Sequence, residues 1–182
     1  KDFRYAVFSY LIATIIRKIQ EADKIDYRSS SLIHLEVSTQ KHVWQYDLVY
    51  DLVSKIKEAY SNGQTEYFDV LFEEIYNDFA DSNNAAREYD KFDTVPLFPS
   101  KKAVVAELTK SLKEIEPQDI IHVVNSEHGI KELLDARTGQ LRLTGLFNIF
   151  IGGSILDRGI TIERMLSFFY GRTPSKFQQD TV

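Results

Sequence analysis

One stretch near the end of the sequence reads Asn148-Ile149-Phe150-Ile151-Gly152-Gly153-Ser154-Ile155-Leu156-Asp157-Arg158-Gly159-Ile160-Thr161-Ile162-Glu163. An apolar run of strand length stops at two glycines, and the chain turns apolar again after a short polar corner. This pattern predicts a buried strand that leads into a functional loop. Because glycine permits positive φ and close approach of a ligand, Gly152, Gly153 and Gly159 are expected to bracket a corner that presents Asp157 and Arg158 outward.

Two opposite charges at the carboxyl end of a strand are typical of a site in an open α/β sheet. The alternative is an ordinary turn in which Asp157 and Arg158 form a solvated ion pair. The Asp-Arg-Gly pattern alone does not decide between them, so the rest of the chain has to be considered.

Length and composition indicate one globular domain over residues 1–182. The chain is 43% hydrophobic and 27% charged, and it contains no cysteine, which excludes disulfides and thiolate metal sites and favours a cytoplasmic location. No apolar run reaches the length that spans a membrane. The sequence starts without Met at Lys1 and ends within an apparent helix start, so we expect a fragment of a longer protein.

Negative charge is concentrated in one segment. Residues 61–99 carry a net charge of −7, whereas the segments on either side are each at +1. We expect 61–99 to be a helical acidic insertion that lies away from the edge carrying Arg158, because it would repel a phosphate backbone.

Periodicity predicts strands that alternate with helices. The predicted strands are 32–37, 120–126, 148–151 and 165–170, and the predicted helices are 3–22, 40–60, 65–80, 101–115 and 128–136. Residues 141–147 are compatible with a short strand or a loop. We interpret His34 as a packed residue, and we place Trp44, Leu48, Leu52 or Val53, and Ile56 on the buried stripe of the second helix.

Such alternation predicts an α/β fold with a mainly parallel sheet and right-handed crossovers. The carboxyl ends of its strands would share one edge. That edge would carry Ser38 and Thr39, Asn125 and Ser126, the loop from Gly152 to Gly159, and Arg172.

Several catalytic patterns are absent from the sequence. There is no Gly-x-x-x-x-Gly-Lys-Ser/Thr loop, no Glu-x-Lys or Asp-x-Lys pair, no Gly-x-Ser-x-Gly, no His-x-x-x-His and no Gly-x-Gly-x-x-Gly. Self-contained catalysis therefore has little support, and we expect no metal site and no cofactor bound by this chain alone.

The pattern as a whole resembles a known family, the Z-one domain of predicted endonucleases and helicase-like ATPases of restriction or phage-defence systems. The resemblance rests on Leu32-Ile33-His34-Leu35 with its polar corner, Val124-Asn125-Ser126, Ile151-Gly152-Gly153, Leu156-Asp157-Arg158-Gly159-Ile160-Thr161-Ile162-Glu163, Phe168-Phe169-Tyr170 and Asp180-Thr181. It extends over most of the chain.

The resemblance implies the second RecA-like lobe of a superfamily-two helicase. Arg158, Gly159 and Thr161 would match the motif-five loop between two lobes, with Asp157 beside them. Ser38 and Thr39 would match the motif-four corner, and Asn125 and Ser126 the next strand end on the nucleic-acid side. ATP and Mg²⁺ would be bound by the full-length protein with an upstream RecA-like lobe, and the partner would be nucleic acid, DNA in the first place.

Three hypotheses remain open at this point. The first is a helicase-like lobe that acts on nucleic acid and on an ATP site completed elsewhere. The second is an interaction or regulatory module with a helicase-like fold and no catalytic role. The third is an independent phosphate-binding α/β enzyme that uses Gly152 and Gly153, and the missing catalytic partners make it the weakest.

Overall fold

The computed structural model describes residues 2–23, 26–34, 39–124, 133–152 and 161–171, with side chains in α2 described from Trp44 onward. In chain order, the elements are α1 (Asp2–Gln20), β1 (Ser30–His34), α2 (Thr39–Asn62), α3 (Glu66–Tyr89), α4 (Lys101–Glu114), α5 (Pro117–Ile120), β2 (Ile121–Val124), β3 (Ile149–Gly152) and β4 (Met165–Tyr170).

The strands that the structure describes form one sheet in the order β2-β3-β1-β4, and every neighbouring pair is parallel. Parallel strands need crossover connections, and the connection from β1 to β2, which flank β3, contains α2 to α5. The predicted α/β class, a parallel sheet flanked by helices, is confirmed.

The main core lies between the sheet and the helices. Successive strand residues point to opposite faces, so Ile149 and Ile151 enter this core together. At its centre the fully buried Phe8 of α1 makes edge-to-face contacts with Tyr60 of α2 and Phe68 of α3, with ring centroids 6.2 and 5.7 Å apart. Full burial of an aromatic side chain of this size stabilises the fold by about 1.5–3 kcal/mol.

A smaller cluster covers the opposite face of the sheet. Leu32, Val124 and Phe150 come from the strands, and Leu141 and Leu143 come from the connection between β2 and β3. The two leucines are buried, so this connection packs across the sheet as a second, thinner layer.

The predicted helix over 128–136 is described only at its end. Residues 125–132 lie outside the described residues and Leu133 is helical, but the helix stops before 136, because Leu134 forms an isolated antiparallel bridge with Leu141. The turn between them is closed by a hydrogen bond from Asp135 N to Gln140 O at 2.8 Å, and Gly139 adopts φ +69°. Of the two structures considered for 141–147, the loop is the one observed.

Helix ends follow local capping chemistry where the sequence supplied it. The Ser100 hydroxyl accepts a hydrogen bond from Ala103 N at 3.3 Å, as predicted for the start of α4. α2 ends at Asn62, and Gly63 follows with φ +69°. By contrast, α3 was expected to end at residue 80, but it runs through Ser82-Asn83-Asn84 to Tyr89.

α3 is held by the main core along its first half. Phe68, Phe72 and Ile75 are buried there, and Tyr76 donates a hydrogen bond to Pro99 O at 2.9 Å. That hydrogen bond fastens the irregular segment before α4 to the helix, while the status of 61–99 as an insertion stays a prediction. Within the described residues, no helix is both long and apolar enough to cross a membrane.

A buried polar network joins α1 to the amino ends of the two central strands. The Tyr10 hydroxyl accepts the backbone N–H of Asn148 at 2.7 Å and donates to Ser29 O at 3.0 Å. Thr14, one turn further along α1, lies 2.7 Å from the Ser29 hydroxyl through its own hydroxyl. All four residues are fully buried or nearly so, and burial raises the pKa of Tyr10.

The Asn148 side chain is satisfied on both sides. Its Nδ2 donates to Ser29 O at 2.9 Å and to Gly145 O at 2.8 Å, and its Oδ1 accepts from Thr144 N at 2.8 Å. A fully satisfied buried network of this kind favours one arrangement of the groups that it joins. It therefore specifies where the β3 strand begins.

We expect Tyr10→Phe to lower the free energy of unfolding by about 1–3 kcal/mol, because it leaves the buried Asn148 N–H without an acceptor. Tyr5→Phe on the same helix is the matched control. It removes an exposed hydrogen bond from Tyr5 to Asp78, and we expect a loss below about 1 kcal/mol. Urea denaturation measures both, and equal losses would contradict the role given to the network.

We also expect stability to fall under alkaline conditions. Burial raises the pKa of Tyr10, Tyr27 and Tyr60, and the hydrogen bond to Asp78 followed by burial raises the pKa of Tyr5 to about 12. The folded state thus favours the neutral phenols, so their contribution is complete below the unfolded pKa of about 10 and is lost as pH rises through the folded values. Urea midpoints measured between about pH 8 and pH 11 should decline, and a flat profile would contradict this.

Candidate functional site

The carboxyl ends of the four strands lie at one level. The register pairs Val124 with Gly152 and His34 with Tyr170, and the pairing of β1 with β3 brings His34 level with Gly152. Neighbouring strands are about 4.8 Å apart, so the four ends span roughly 14 Å. Open parallel sheets bind ligands outside this edge. The sequence continues from it into 35–38, 125–132, 153–160 and 172–182, which lie outside the described residues.

Only three of the predicted site residues fall on described positions. Gly152 is the buried last residue of β3, and Thr39 is the first residue of α2, where only the backbone is described. Thr161 is exposed, and its carbonyl accepts a hydrogen bond from Leu141 N at 3.2 Å on the segment that leads into β4. The others lie outside the described residues, and their roles stay predictions: Ser38, Asn125, Ser126, Gly153, Asp157, Arg158 and Gly159.

Gln45, in the second turn of α2, is a buried polar residue that the sequence pattern did not single out. Its side chain is 0% exposed, and neither Oε1 nor Nε2 has a hydrogen-bond partner among the described residues. Since α2 starts at Thr39, shortly after β1 ends, Gln45 lies about 9 Å along the helix from its start. A buried amide without partners costs about 1–3 kcal/mol, and such a group calls for an explanation beyond packing.

The signal that could have found Gln45 is the phase of the α2 stripe. Val49 and Ile56 are buried, and the same spacing extended toward the start of the helix reaches Gln45. We placed Trp44 and Leu48 on this stripe, and that prediction is wrong, because Trp44 is 62% exposed and Leu48 is 36% exposed. The rest of the predicted stripe is confirmed, because Leu52, Val53 and Ile56 are buried. The error is confined to the first turns of α2, where the inward positions are Gln45 and Val49.

Two histidines lie on the sheet face that carries the second cluster. The ring of His122 is 5.2 Å from that of Phe150, and the ring of His34 is 5.2 Å from that of Tyr170. Burial lowers the pKa of His122, so its imidazole is neutral at about pH 7. His34 is buried, in agreement with its interpretation as a packed residue.

The described groups at the carboxyl edge do not by themselves fit ATP with Mg²⁺. Binding of that pair needs cationic or backbone donors for the phosphates and oxygen ligands for the metal. The strands end at His34, Val124, Gly152 and Tyr170, and none of these residues is an Asp, Glu, Lys or Arg. In the part of the chain that the structure describes, no group of three or more His, Asp or Glu side chains could hold a metal ion.

Comparison with known families identifies the domain. A family model of the Z1 domain matches residues 2–182. The chain belongs to the Z1 domain family. This confirms the family that the sequence resembles, and the match includes every described element of the Z1 domain, from α1 to β4. No curated protein and no solved structure matches this chain.

We expect Gln45→Leu to stabilise the Z1 domain by about 1 kcal/mol, because it replaces a buried amide that has no partner among the described residues by an apolar side chain of similar size. Gln20→Leu is the control, because it removes an amide that has hydrogen-bond partners. The Gln20 amide donates to Leu97 O at 3.3 Å and accepts from Arg17 at 3.1 Å, so its loss should not stabilise. Thermal unfolding of both variants measures this, and a clear loss of stability in Gln45→Leu would show that the amide is satisfied in the folded protein.

Proposed function

We propose that this Z1 domain is the carboxyl-terminal RecA-like lobe of a nucleic-acid-dependent ATPase of a restriction or phage-defence system. The observation that carries the proposal is the set of four parallel strand ends that lie at one level and that continue in the sequence into the predicted loops. An open sheet edge of this kind is suited to contacts supplied by another lobe or a ligand. DNA is the nucleic acid that such systems act on, and the family resemblance supplies this context.

In this role the carboxyl edge forms one side of a cleft between two lobes. The loop with Asp157, Arg158 and Gly159 follows β3 directly, so it starts at the centre of the edge. The planar guanidinium of Arg158 is suited to phosphate charge, while ATP and Mg²⁺ supply the phosphoryl chemistry once the upstream lobe completes their site.

Nucleic acid would be held by small polar groups without reading of the bases. Hydroxyl, amide and backbone N–H donors bind phosphate oxygens in this way, so we infer sequence-tolerant binding. The residues assigned to this are Ser38, Thr39, Asn125, Ser126 and Thr161. The exposed indole of Trp44, one residue before Gln45, adds a surface on which a base can stack, worth about 1–3 kcal/mol.

A second candidate function is a non-catalytic interaction module, and one observation favours it. Tyr67 and Val70 of α3 are 73% and 80% exposed. They line an apolar cleft of about 310 Å³ together with Leu52 and Ile56 of α2. Exposed apolar surface of this kind is found at protein interaction sites.

The two functions are separated by Arg158→Ala in the full-length protein. We expect ATP turnover in the presence of DNA to fall at least about tenfold, because a guanidinium that stabilises phosphoryl transfer contributes more than this in related chemistry. Stability should change by less than about 0.5 kcal/mol. Arg87→Ala, which removes an arginine that pairs with Asp93, is the matched control and should leave turnover unchanged.

Equal turnover in wild type, Arg158→Ala and Arg87→Ala would contradict the ATPase lobe and favour the interaction module. ATP hydrolysis by residues 1–182 alone, abolished by a substitution within them, would also contradict the proposal of a lobe whose ATP site is completed elsewhere. That result would require a complete site on this chain, as in an independent phosphate-binding enzyme.

A further inference from the structure

A polar cleft of about 340 Å³ lies on the amino-terminal side of the sheet, away from the carboxyl edge. Arg28 lies two residues before β1, and Arg164 lies directly before β4. Arg137 and Arg142 belong to the turn region between β2 and β3. We call the space lined by these four side chains the arginine cleft.

Three of the four guanidinium groups have no ion-pair partner among the described residues. Arg28 is the exception, since its Nη2 and Nε lie 2.6 and 3.1 Å from the two carboxylate oxygens of Asp26. For Arg137, Arg142 and Arg164 no described carboxylate lies within 4.0 Å. These three side chains therefore form no ion pair at contact distance within this part of the chain.

Packing fixes the position of Arg142. Leu141 and Leu143 on either side of it are buried in the second cluster, which turns the side chain between them outward. Its backbone N–H donates to Leu133 O at 2.8 Å. The guanidinium donates to Leu134 O at 3.4 Å through Nη2, and its remaining N–H groups have no acceptor among the described residues, so they are available to a ligand.

Arg137 lies on a turn in which one carboxylate oxygen of Asp135 accepts three hydrogen bonds. Asp135 Oδ1 accepts from Arg137 N at 3.0 Å, from Thr138 N at 2.9 Å and from the Thr138 hydroxyl at 3.1 Å. These hydrogen bonds lower the pKa of Asp135, so the carboxylate is charged but committed to the turn. The Arg137 side chain is exposed beside it.

Arg164 is held in place by its backbone and by an aromatic ring. Its φ of +50° lies in the left-handed region, which costs free energy for a residue with a side chain. The carbonyl accepts from Ser30 N at 3.0 Å, and the guanidinium carbon lies 5.6 Å from the centre of the Tyr27 ring. A guanidinium stacked on a ring keeps its N–H groups available in its own plane.

We propose that the arginine cleft binds a phosphate group. Planar guanidinium groups bind phosphate oxygens through pairs of charge-assisted hydrogen bonds, and Arg137, Arg142 and Arg164 have no ion-pair partner among the described residues. The cleft is lined by four arginines and three carboxylates, those of Asp26, Asp135 and Glu163, so its net charge of +1 favours an anion. The phosphate belongs either to a nucleic-acid backbone or to a small phosphate such as a nucleotide.

This site goes beyond the proposed function and uses none of its residues. The test uses the full-length protein, a labelled single-stranded oligonucleotide and, separately, inorganic phosphate and ATP as competitors. Arg142→Gln and Arg164→Gln should each weaken binding of the oligonucleotide or of the small phosphate, whichever the cleft binds, about tenfold or more. Arg87→Gln, which removes the same charge from a paired arginine, is the control and should change affinity much less.

Salt dependence and the competitors identify the source of the phosphate. For a nucleic-acid backbone, the slope of log Kd against log salt should fall by about 0.7 for each arginine–phosphate pair that a substitution removes, and phosphate should compete only weakly. For a small phosphate, inorganic phosphate or ATP should displace the oligonucleotide in wild type and not in the variants. Either result supports the site. Arg142→Lys keeps the positive charge but loses the paired N–H donors of the guanidinium, so its affinity should lie between those of wild type and Arg142→Gln.

Equal affinities of wild type, Arg142→Gln, Arg164→Gln and Arg87→Gln for every probe would overturn the proposal. The outcome is separable from that for the carboxyl edge. Arg142→Gln and Arg164→Gln should leave ATP turnover without nucleic acid unchanged. Arg158→Ala should leave unchanged the loss of affinity that Arg142→Gln or Arg164→Gln causes. Thermal unfolding of each variant checks that affinity is compared between folded proteins.

Discussion

The phenolic hydroxyl of Tyr10 joins the central helix to the two central strands, and the rest of the fold is arranged around that junction. It accepts the Asn148 N–H at the start of β3 and donates to Ser29 O before β1, so α1 is fixed in rotation and height against the sheet. Phe8, two residues earlier, is thereby placed among α2 and α3. Because the junction lies at the amino ends of β1 and β3, the register of these strands is specified there, and their carboxyl ends finish at one level.

The two ends of the sheet consequently differ in chemistry. At the carboxyl end, none of the described strand ends carries an Asp, Glu, Lys or Arg side chain, which suits charged groups supplied from outside this part of the chain. On the amino-terminal side, the network around Asn148 is closed and satisfied, while arginines before β1 and β4 line an open cleft. A lobe of a nucleic-acid-dependent ATPase would use the first end for its neighbour and the second for a further phosphate contact.

The architecture was predictable because it depends on periodicity, and the details that were missed depend on tertiary packing. β4 was predicted with the observed bounds, and Ser100 and Gly63 mark helix ends where expected. The phase at the start of α2 was missed by one residue, because the choice between Trp44 and Gln45 for the inward position depends on neighbours that the sequence does not show. α3 continues through a polar run because Tyr76 and Arg87 fasten the following segment to it. No spacing rule connects Arg137 with Arg164, since folding alone brings them together.

The carboxyl edge is, on this proposal, where the Z1 domain meets its ligands. Hydrogen–deuterium exchange of the full-length protein, measured with and without a non-hydrolysable ATP analogue and DNA, tests it most directly. We expect slower exchange in peptides that cover residues 39–50 and 148–162 when both ligands are present, because the strand ends and the start of α2 would be covered. Protection confined to the exposed surface around Tyr67 and Val70, with no change at those two segments, would contradict it.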